Sequence, residues 1–286
     1  CGSTSSSGGD KVALLVSTLN NPFFVDLRDG AQAAAKDLGV DLMVSDAQND
    51  SSTQQNQAQN AQSQGAKAVI INPVDSDAAS PAVAPLLSSS LPVISVDRSV
   101  TGEDVTSHIA SDNVAGGAQA ADELAKAVGE KGKVIILQGT PGAASTRDRG
   151  DGFKKEIKKY SGIEVVAEQT ANFDRAEALD VTTNLMQSNP DVVGIYAEND
   201  EMALGAIQSL GSKAGADVKI FGFDGTEDGL KAVSNGTMVG TIAQQPKELG
   251  KKAVEAAVKA IKGESVEKTE SIEVKTVTKG NVADFQ

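Results

Sequence analysis

The sequence of 286 residues lacks tryptophan, and it has only one cysteine, one histidine, two tyrosines and seven phenylalanines. A single cysteine excludes an intramolecular disulfide and a metal site built from paired cysteines. The only histidine, His108, is interpreted as a structural residue. No apolar stretch approaches the roughly 20 residues that a membrane-spanning helix needs.

The chain is also short of positive charge, with 26 basic against 39 acidic residues and a net charge of −13. Proteins that bind nucleic acid present a basic patch, so this balance argues against a nucleic-acid partner. It argues equally against adhesion to anionic lipid through the charge of the protein. With 40% hydrophobic and 23% charged residues, the composition is that of a globular chain of one large or two ordinary domains.

The lone cysteine is Cys1, and the stretch "GSTSSSGGD" that follows it predicts a flexible tether over residues 1–10. A cysteine in first position, a tether and then a folded domain resemble a mature bacterial lipoprotein, in which acyl chains on the cysteine hold the protein on the membrane. We therefore expect lipidation at Cys1 as the protein's only membrane attachment, and an extracytoplasmic location at the cell membrane. An incidental cysteine is the alternative.

Short apolar runs alternate with helical stretches in two similar series. The first series predicts strands over 12–17, 41–46, 66–72 and 91–97, with helices over 22–39, 52–65 and 76–90. The second predicts strands over 132–139, 163–169, 190–197 and 217–224, with helices over 145–160, 174–188 and 200–211. Continuous apolar strands separated by helices indicate parallel sheets covered on both faces. The fold class is therefore α/β, with two doubly wound domains of similar plan.

Three further segments follow the second series. A strand-like run covers 238–245, an amphipathic helix covers 246–263, and a closing strand with its turn covers 269–282. Two complete domains leave this last helix and strand over. They form a tail, or they return to the domains and make extra crossovers.

Polar and aromatic residues cluster after the predicted strands, where open α/β sheets bind ligands. They are Thr18, Asn20, Asn21, Phe23, Phe24, Asn72, Asp75, Asp97 and Arg98 in the first series, and Thr140, Arg147, Arg149, 172–175, 198–201, 224–229, Gln244 and Gln245 after it. Sugar hydroxyls both donate and accept hydrogen bonds, which suits carboxylates, guanidinium groups and amides, while phenylalanine covers ring C–H groups. Balanced charges favour a neutral polyol over a sugar phosphate. Each residue alone is more often a cap or turn residue, so the recurrence in both series carries the prediction.

Several long motifs occur in a fixed order. They are "STLNNPFF", "NPVDSDA", "VDRSV", "SHIASDNVAGG", "RDRGDGF", "FDRAEALD", "ENDEMALGA", "GFDGTEDG" and "TIAQQP". Together they resemble the D-ribose-binding proteins of bacterial ABC importers, from about Lys11 to near the C-terminus. The resemblance implies two Rossmann-like lobes joined by a three-crossover hinge, the type I periplasmic binding protein fold. It places 11–111 and 245–273 in the N-terminal lobe, and 112–244 and 274–286 in the C-terminal lobe.

The resemblance also implies the ligand, the partners and the site. D-ribose would be held in the cleft and delivered to the transmembrane subunits of an ABC permease, with no cofactor and no metal. The protein would be a monomer, and a chemoreceptor remains open as a further partner. The implied ligand-binding residues are Asn21, Phe23, Phe24, Asp97, Arg98, Arg149, Phe173, Asn199, Asp224 and Gln244, with Asn72, Ser111 and Thr140 in support. The sequence departs from the family at Glu198, where glutamine is expected, and around Thr140.

Three alternatives stay open beside this prediction. The first is the same role with another ligand: allose, xylose, galactose or a furanosyl autoinducer. The second is a LacI-type effector domain, although the acidity disfavours DNA and the ten residues before the first strand show no helix-turn-helix. The third is an enzyme, but "QGTPGAAS" lacks the Gly-Lys-Ser/Thr of a phosphate loop, and arginines beside the carboxylates favour charges that stay ionised rather than glycoside hydrolysis. We expect no enzymatic activity.

Overall fold

The structure, a computed structural model, describes residues 9–286. The predicted lipidation of Cys1 and most of the predicted tether therefore lie outside the described residues. Within residues 9–286, none of the helices combines the length and the apolar character that crossing a membrane requires.

The chain divides into two compact units, and it passes from one to the other three times. The first unit contains the residues up to Ser111 together with Gln245–Ile272, and the second contains Asp112–Gln244 together with Glu273–Gln286. Strands and helices are numbered β1–β12 and α1–α9 in chain order.

The first unit is a six-stranded sheet with helices on both faces. Its elements are β1 (Lys11–Val16), α1 (Pro22–Leu38), β2 (Asp41–Asp46), α2 (Ser51–Ser63), β3 (Ala68–Ile71), α3 (Ser80–Ser88), β4 (Val93–Val96), β5 (Ser107–Ser111), α9 (Pro246–Ile261) and β11 (Thr269–Ile272). The strand order is β11-β5-β4-β3-β1-β2, and every pairing is parallel.

The second unit repeats this plan. Its elements are α4 (Asn113–Ala127), β6 (Lys131–Gln138), α5 (Ala144–Ile157), β7 (Gly162–Thr170), α6 (Arg175–Ser188), β8 (Val192–Ala197), α7 (Asp200–Leu210), β9 (Lys219–Phe221), α8 (Glu227–Asn235), β10 (Gly240–Ala243) and β12 (Lys275–Thr278). The order is β12-β10-β9-β8-β6-β7, with β12 antiparallel to β10 and the other pairs parallel. The predicted fold class is confirmed.

The continuous apolar strands arise because each sheet is covered on both faces. In β1, Val12 and Leu14 face a core shared with α1 and α9, while Ala13 and Leu15 face a core shared with α2 and α3. α9 packs against α1, where a β-carbon on Gly250 would lie 2.0 Å from the carbonyl oxygen of Leu27. The leftover helix is therefore not a tail, because it completes the first unit.

Four segments differ from the sequence prediction. β5, α4 and α8 were not predicted as separate elements, because their runs are short or rich in small and polar residues. The closing run over 269–282, predicted as one strand, is two strands: β11 joins the sheet of the first unit and β12 the sheet of the second. Ile272 ends the first of them, and the chain crosses to the other unit immediately after it.

Candidate functional site

The β1–α1 turn places the predicted amide and aromatic pair at the C-terminal edge of the first sheet. Asn21 caps α1, its Oδ1 accepting a hydrogen bond from the Phe23 nitrogen at 3.0 Å, and Pro22 occupies the first turn. The two phenylalanine rings meet edge to face at 5.2 Å between centroids. Phe24 is 3% exposed within the core, whereas Phe23 is half-buried, so Phe23 is the ring that the turn leaves available to a ligand.

The end of β4 presents Asp97 and Arg98. Asp97 has a φ of +69°, a conformation that non-glycine residues seldom adopt and that clusters at binding sites. The Arg98 guanidinium donates from Nη1 to the carbonyl oxygens of Pro73 at 3.1 Å and Val74 at 3.2 Å, and it lies 5.5 Å from the Phe24 ring centroid. Main-chain acceptors and an aromatic face therefore hold this arginine in place.

Asn72 is fully buried and links three strand ends. Its Oδ1 accepts from the nitrogen of Ser17 at 3.1 Å and from the Ser17 hydroxyl at 2.6 Å, and its Nδ2 donates to the Val96 carbonyl at 3.2 Å. Gln54 of α2 donates to the Asn72 carbonyl at 3.0 Å and accepts from the Val74 nitrogen at 3.0 Å. Asn72 thus has the geometry of a support. Ser111 is buried at the end of β5.

Arg149 of α5 is the centre of the polar cluster in the second unit. Its Nε donates to Asn113 Oδ1 at 3.0 Å, its Nη1 donates to the Glu198 carbonyl at 2.9 Å, and its Nη2 lies 3.5 Å from Asp224 Oδ1. The guanidinium carbon is 3.9 Å from the Phe223 ring centroid and 5.9 Å from that of Phe173. A cation is therefore fixed within cation–π distance of two aromatic rings and beside a carboxylate.

Asp224 is held on a second side by Gln244, whose Nε2 donates to Asp224 Oδ1 at 2.8 Å. Asp224 has a φ of +126°, and its nitrogen donates to the Ile242 carbonyl at 2.7 Å. Beneath this loop, buried Asp200 accepts from the Thr226 nitrogen at 2.9 Å and from the Thr241 hydroxyl at 2.7 Å. Burial raises the pKa of Asp200 to about 7, because desolvation outweighs these donors.

Asn199 and Phe173 lie beside this cluster. Asn199 caps α7 through a bond from the Met202 nitrogen at 2.9 Å, and its Nδ2 donates to the Phe173 carbonyl at 3.4 Å. Phe173 has a φ of +57°, and its ring packs so closely on Gly139 that a β-carbon there would lie 2.0 Å from it. Thr140 is exposed next to Gly139 and contributes its carbonyl to the turn that precedes α5.

The structure thus links most of the predicted residues within their own units. In the second unit, one network of contacts joins Arg149, Phe173, Asn199, Asp224 and Gln244. Sequence reasoning missed Phe223, Asn113 and Gln54. The first was taken as the end of an apolar strand, and the other two are single polar residues in helices, which no local pattern distinguishes. Asp200 was included only as a member of the polar run 198–201, without a role of its own. No group of three or more potential metal ligands occurs in residues 9–286.

Comparison with known proteins shows which family this architecture belongs to. The profile of the periplasmic binding protein domain matches residues 12–265. The chain belongs to this family. Members of this family are solute-binding proteins that act outside the cytoplasm. This periplasmic binding protein is therefore an extracytoplasmic protein.

Individual relatives of this periplasmic binding protein cover nearly the whole chain. A ribose import binding protein of Salmonella typhimurium is 48% identical over 270 residues, which are 94% of this chain and 91% of that protein. A solved periplasmic ribose ABC transporter protein from Conexibacter woesei has a TM-score of 0.92 at 26% identity, covering 98% of this chain and 95% of its own. A solute-binding protein from Actinobacillus succinogenes with bound D-allose has a TM-score of 0.85 at 33% identity, covering 96% and 99%.

Proposed function

We propose that this periplasmic binding protein captures D-ribose and delivers it to the transmembrane subunits of an ABC importer. One observation carries the ligand class: Arg149 is paired with Asp224, which Gln244 also holds, and its guanidinium lies over the rings of Phe223 and Phe173. This arrangement offers a fixed donor, a fixed acceptor and apolar faces, which a neutral polyol can use together. The name of the relative that is 48% identical supports ribose as the polyol.

The proposal assigns ligand contacts to both units. Asn21, Phe23, Asp97 and Arg98 would contact the sugar from the first unit, and the Arg149 network would contact it from the second. A sugar that gains contacts with the second unit after binding the first shifts the hinge equilibrium by its differential affinity, with about 1.4 kcal/mol for each factor of ten. A wrong epimer would leave buried polar groups unpaired and would bind more weakly.

Calorimetric titration with D-ribose tests the proposal. Asp97→Ala in the first unit and Asp224→Ala in the second should each weaken binding by about a hundredfold or more, because each removes an acceptor to a sugar hydroxyl. Asp41→Ala and Asp191→Ala are matched controls, because these exposed aspartates lie at the opposite, N-terminal ends of β2 and β8. Wild-type affinity in both Asp97 and Asp224 variants would contradict the assigned site.

A thermal-shift screen of pentoses and hexoses tests the choice of sugar. A ligand present at 100 times its Kd stabilises the folded state by about 2.7 kcal/mol. D-ribose should raise the melting temperature most, with D-allose, D-xylose and D-galactose as competitors. If ribose leaves the melting curve unchanged while another sugar shifts it, the protein is an importer component for that sugar instead.

We also propose that Cys1 carries acyl chains that anchor the protein to the cell membrane, with the Gly/Ser-rich stretch as the tether. The proposal includes a monomeric state in solution and leaves chemoreceptor contact to experiment. In a bacterial host that processes lipoproteins, the wild type should sediment with membranes and Cys1→Ser should be released. Mass spectrometry of an unmodified Cys1 in the membrane fraction would overturn the anchor.

A further inference from the structure

Glu198 is a fully buried acidic residue directly after β8, outside the proposed ligand set. Its Oε1 accepts a hydrogen bond from the Gly139 nitrogen at 2.9 Å. Its Oε2 is buried and has no hydrogen-bond partner among residues 9–286. A buried carboxylate oxygen without a donor is costly, so this position favours an uncharged carboxyl group.

The carboxyl group of Glu198 lies against the residues that place two proposed ligand contacts. The main-chain carbonyl of Glu198 accepts from Arg149 Nη1 at 2.9 Å, and the carboxyl Oε2 would lie 2.8 Å from a β-carbon on Gly150. Gly139, which the carboxyl group holds, is also the residue on which the Phe173 ring packs. One residue therefore holds both contacts, because its main-chain carbonyl binds the Arg149 guanidinium and its side chain binds Gly139 beneath the Phe173 ring.

The charged groups around Glu198 come from two elements, α5 and β7. Arg149 and Lys154 on α5 favour its ionised form, and Glu168 on β7 opposes it. Lys154 is itself paired with Glu168 at 3.2 Å, so their effects on Glu198 largely offset each other. On β8, the buried Tyr196 hydroxyl donates to the Arg149 carbonyl at 3.3 Å.

Burial is the largest influence on the ionisation of Glu198. Desolvation raises the pKa of Glu198 to about 7, against the opposing effects of the Gly139 N–H and the Arg149 charge. Arg149 is already shared with Asp224 on its other side. When Glu198 ionises, a second negative charge acts on a guanidinium group that is already paired with Asp224.

We propose that Glu198 is a positioning residue for the ligand set of the second unit, and that its ionisation weakens sugar binding as the pH rises through neutrality. The uncharged carboxyl group leaves Arg149 available to Asp224 and to the ligand. The ionised group draws the guanidinium away from the ligand. This inference rests on the proposed sugar-binding function and adds a pH dependence to it.

The test is D-ribose calorimetry between pH 5.5 and 8.5 on three proteins. In the wild type, Kd should rise about threefold to tenfold across this range, with proton uptake on binding near neutral pH, since a shift of one pKa unit corresponds to a factor of ten. Glu198→Gln keeps an acceptor for Gly139 and cannot ionise, so its Kd should stay flat. Glu164→Gln, an exposed charge removal on β7, should keep the wild-type slope. A Glu198→Gln protein with the wild-type slope overturns the inference.

A second measurement separates this inference from the proposed function. Carboxyl carbon NMR of the ligand-free protein should show one glutamate, absent in Glu198→Gln, that titrates near pH 7. If D-ribose fails to bind at every pH, the proposed function fails. The NMR titration still measures the protonation of Glu198, because it uses the ligand-free protein. A Glu198 signal that stays ionised down to pH 5 overturns the inference, and titration near neutral pH supports it.

Discussion

The two units share a sheet plan but hold their candidate ligand residues with different chemistry. In the first unit, Asn72 is a neutral amide bonded to Ser17 and Val96, and Arg98 is held by main-chain carbonyls. In the second unit, Arg149 lies among the buried or half-buried acids Glu198, Asp200 and Asp224. Buried amides keep their charge state over the whole pH range, whereas buried acids do not. The supporting residues named here are thus insensitive to pH in the first unit and sensitive to it in the second.

The largest difference between the units is expected at the two arginines. Arg149→Met should reduce ribose affinity at least a hundredfold and lower the free energy of unfolding by about 2–4 kcal/mol, since Asp224 loses its buried counter-charge. Arg98→Met, which leaves two carbonyls without a donor, should lower it by about 1 kcal/mol. Urea unfolding monitored by circular dichroism compares the two. Equal losses of unfolding free energy in the two variants would mean that the Arg149–Asp224 ion pair contributes no more stability than the main-chain bonds of Arg98.

Asn72→Ala tests the neutral support of the first unit. The change leaves the buried Ser17 nitrogen and hydroxyl without their partner, which should lower the free energy of unfolding by about 2–3 kcal/mol. The loss should be the same at pH 5 and pH 8, because no ionisable group is removed. A loss of unfolding free energy that changes with pH would show that an ionisable group is coupled to Asn72 in the first unit.

The pH dependence of stability should have opposite signs in the two units. Burial raises the pKa of Glu198 and Asp200 to about 7, so the folded state binds more protons than the unfolded state between about pH 4 and 7. Their contribution to the free energy of unfolding is present at low pH and falls, by about 1–3 kcal/mol, as the pH rises through 7. Burial lowers the pKa of His108, so stability from the first unit rises with pH instead.

Chemical unfolding at a series of pH values measures these slopes. Glu198→Gln with Asp200→Asn should remove the fall, and His108→Gln in the otherwise wild-type protein should make the fall steeper. An unchanged profile in the acid-to-amide double variant would contradict the assignment of the titrating groups to the second unit.

The smallest expected effect concerns the support beneath Asp224. Thr241→Val removes the hydroxyl that donates to Asp200 and accepts from Gly225, at a cost of about 1 kcal/mol in unfolding free energy. Ribose affinity should fall a few-fold, because the strained Asp224 backbone is less well held. Thr276→Val, on the neighbouring β12, is the control by calorimetry. An unaltered Kd in Thr241→Val would show that the hydrogen bonds of Thr241 beneath Asp224 do not affect ribose binding.

The sequence was informative where the signal is local. Periodic apolar runs located the central strands and α1, α5, α6, α7 and α9 to within a few residues. It was uninformative about β5, whose short alternating run resembles a loop, and it joined β11 to β12 because both continue one polar–apolar alternation. At the candidate site, strand-end positions predicted Asp97, Arg149 and Asp224 as ligand residues, whereas Phe223 was indistinguishable from a core residue until Arg149 was seen to stack on it.

The sequence by itself determined the two repeated α/β units, the edge of each sheet that carries the polar residues, and the family, because periodicity and strand-end residues are properties of neighbouring positions. Only the tertiary structure decided that Phe24 is core while Phe23 is half-buried, and that Asn72 bonds to Ser17 and Val96. It also decided that Glu198 points one oxygen at Gly139 and leaves the other without a donor. Burial and hydrogen bonding depend on residues tens of positions apart, which meet only when the sheet has formed.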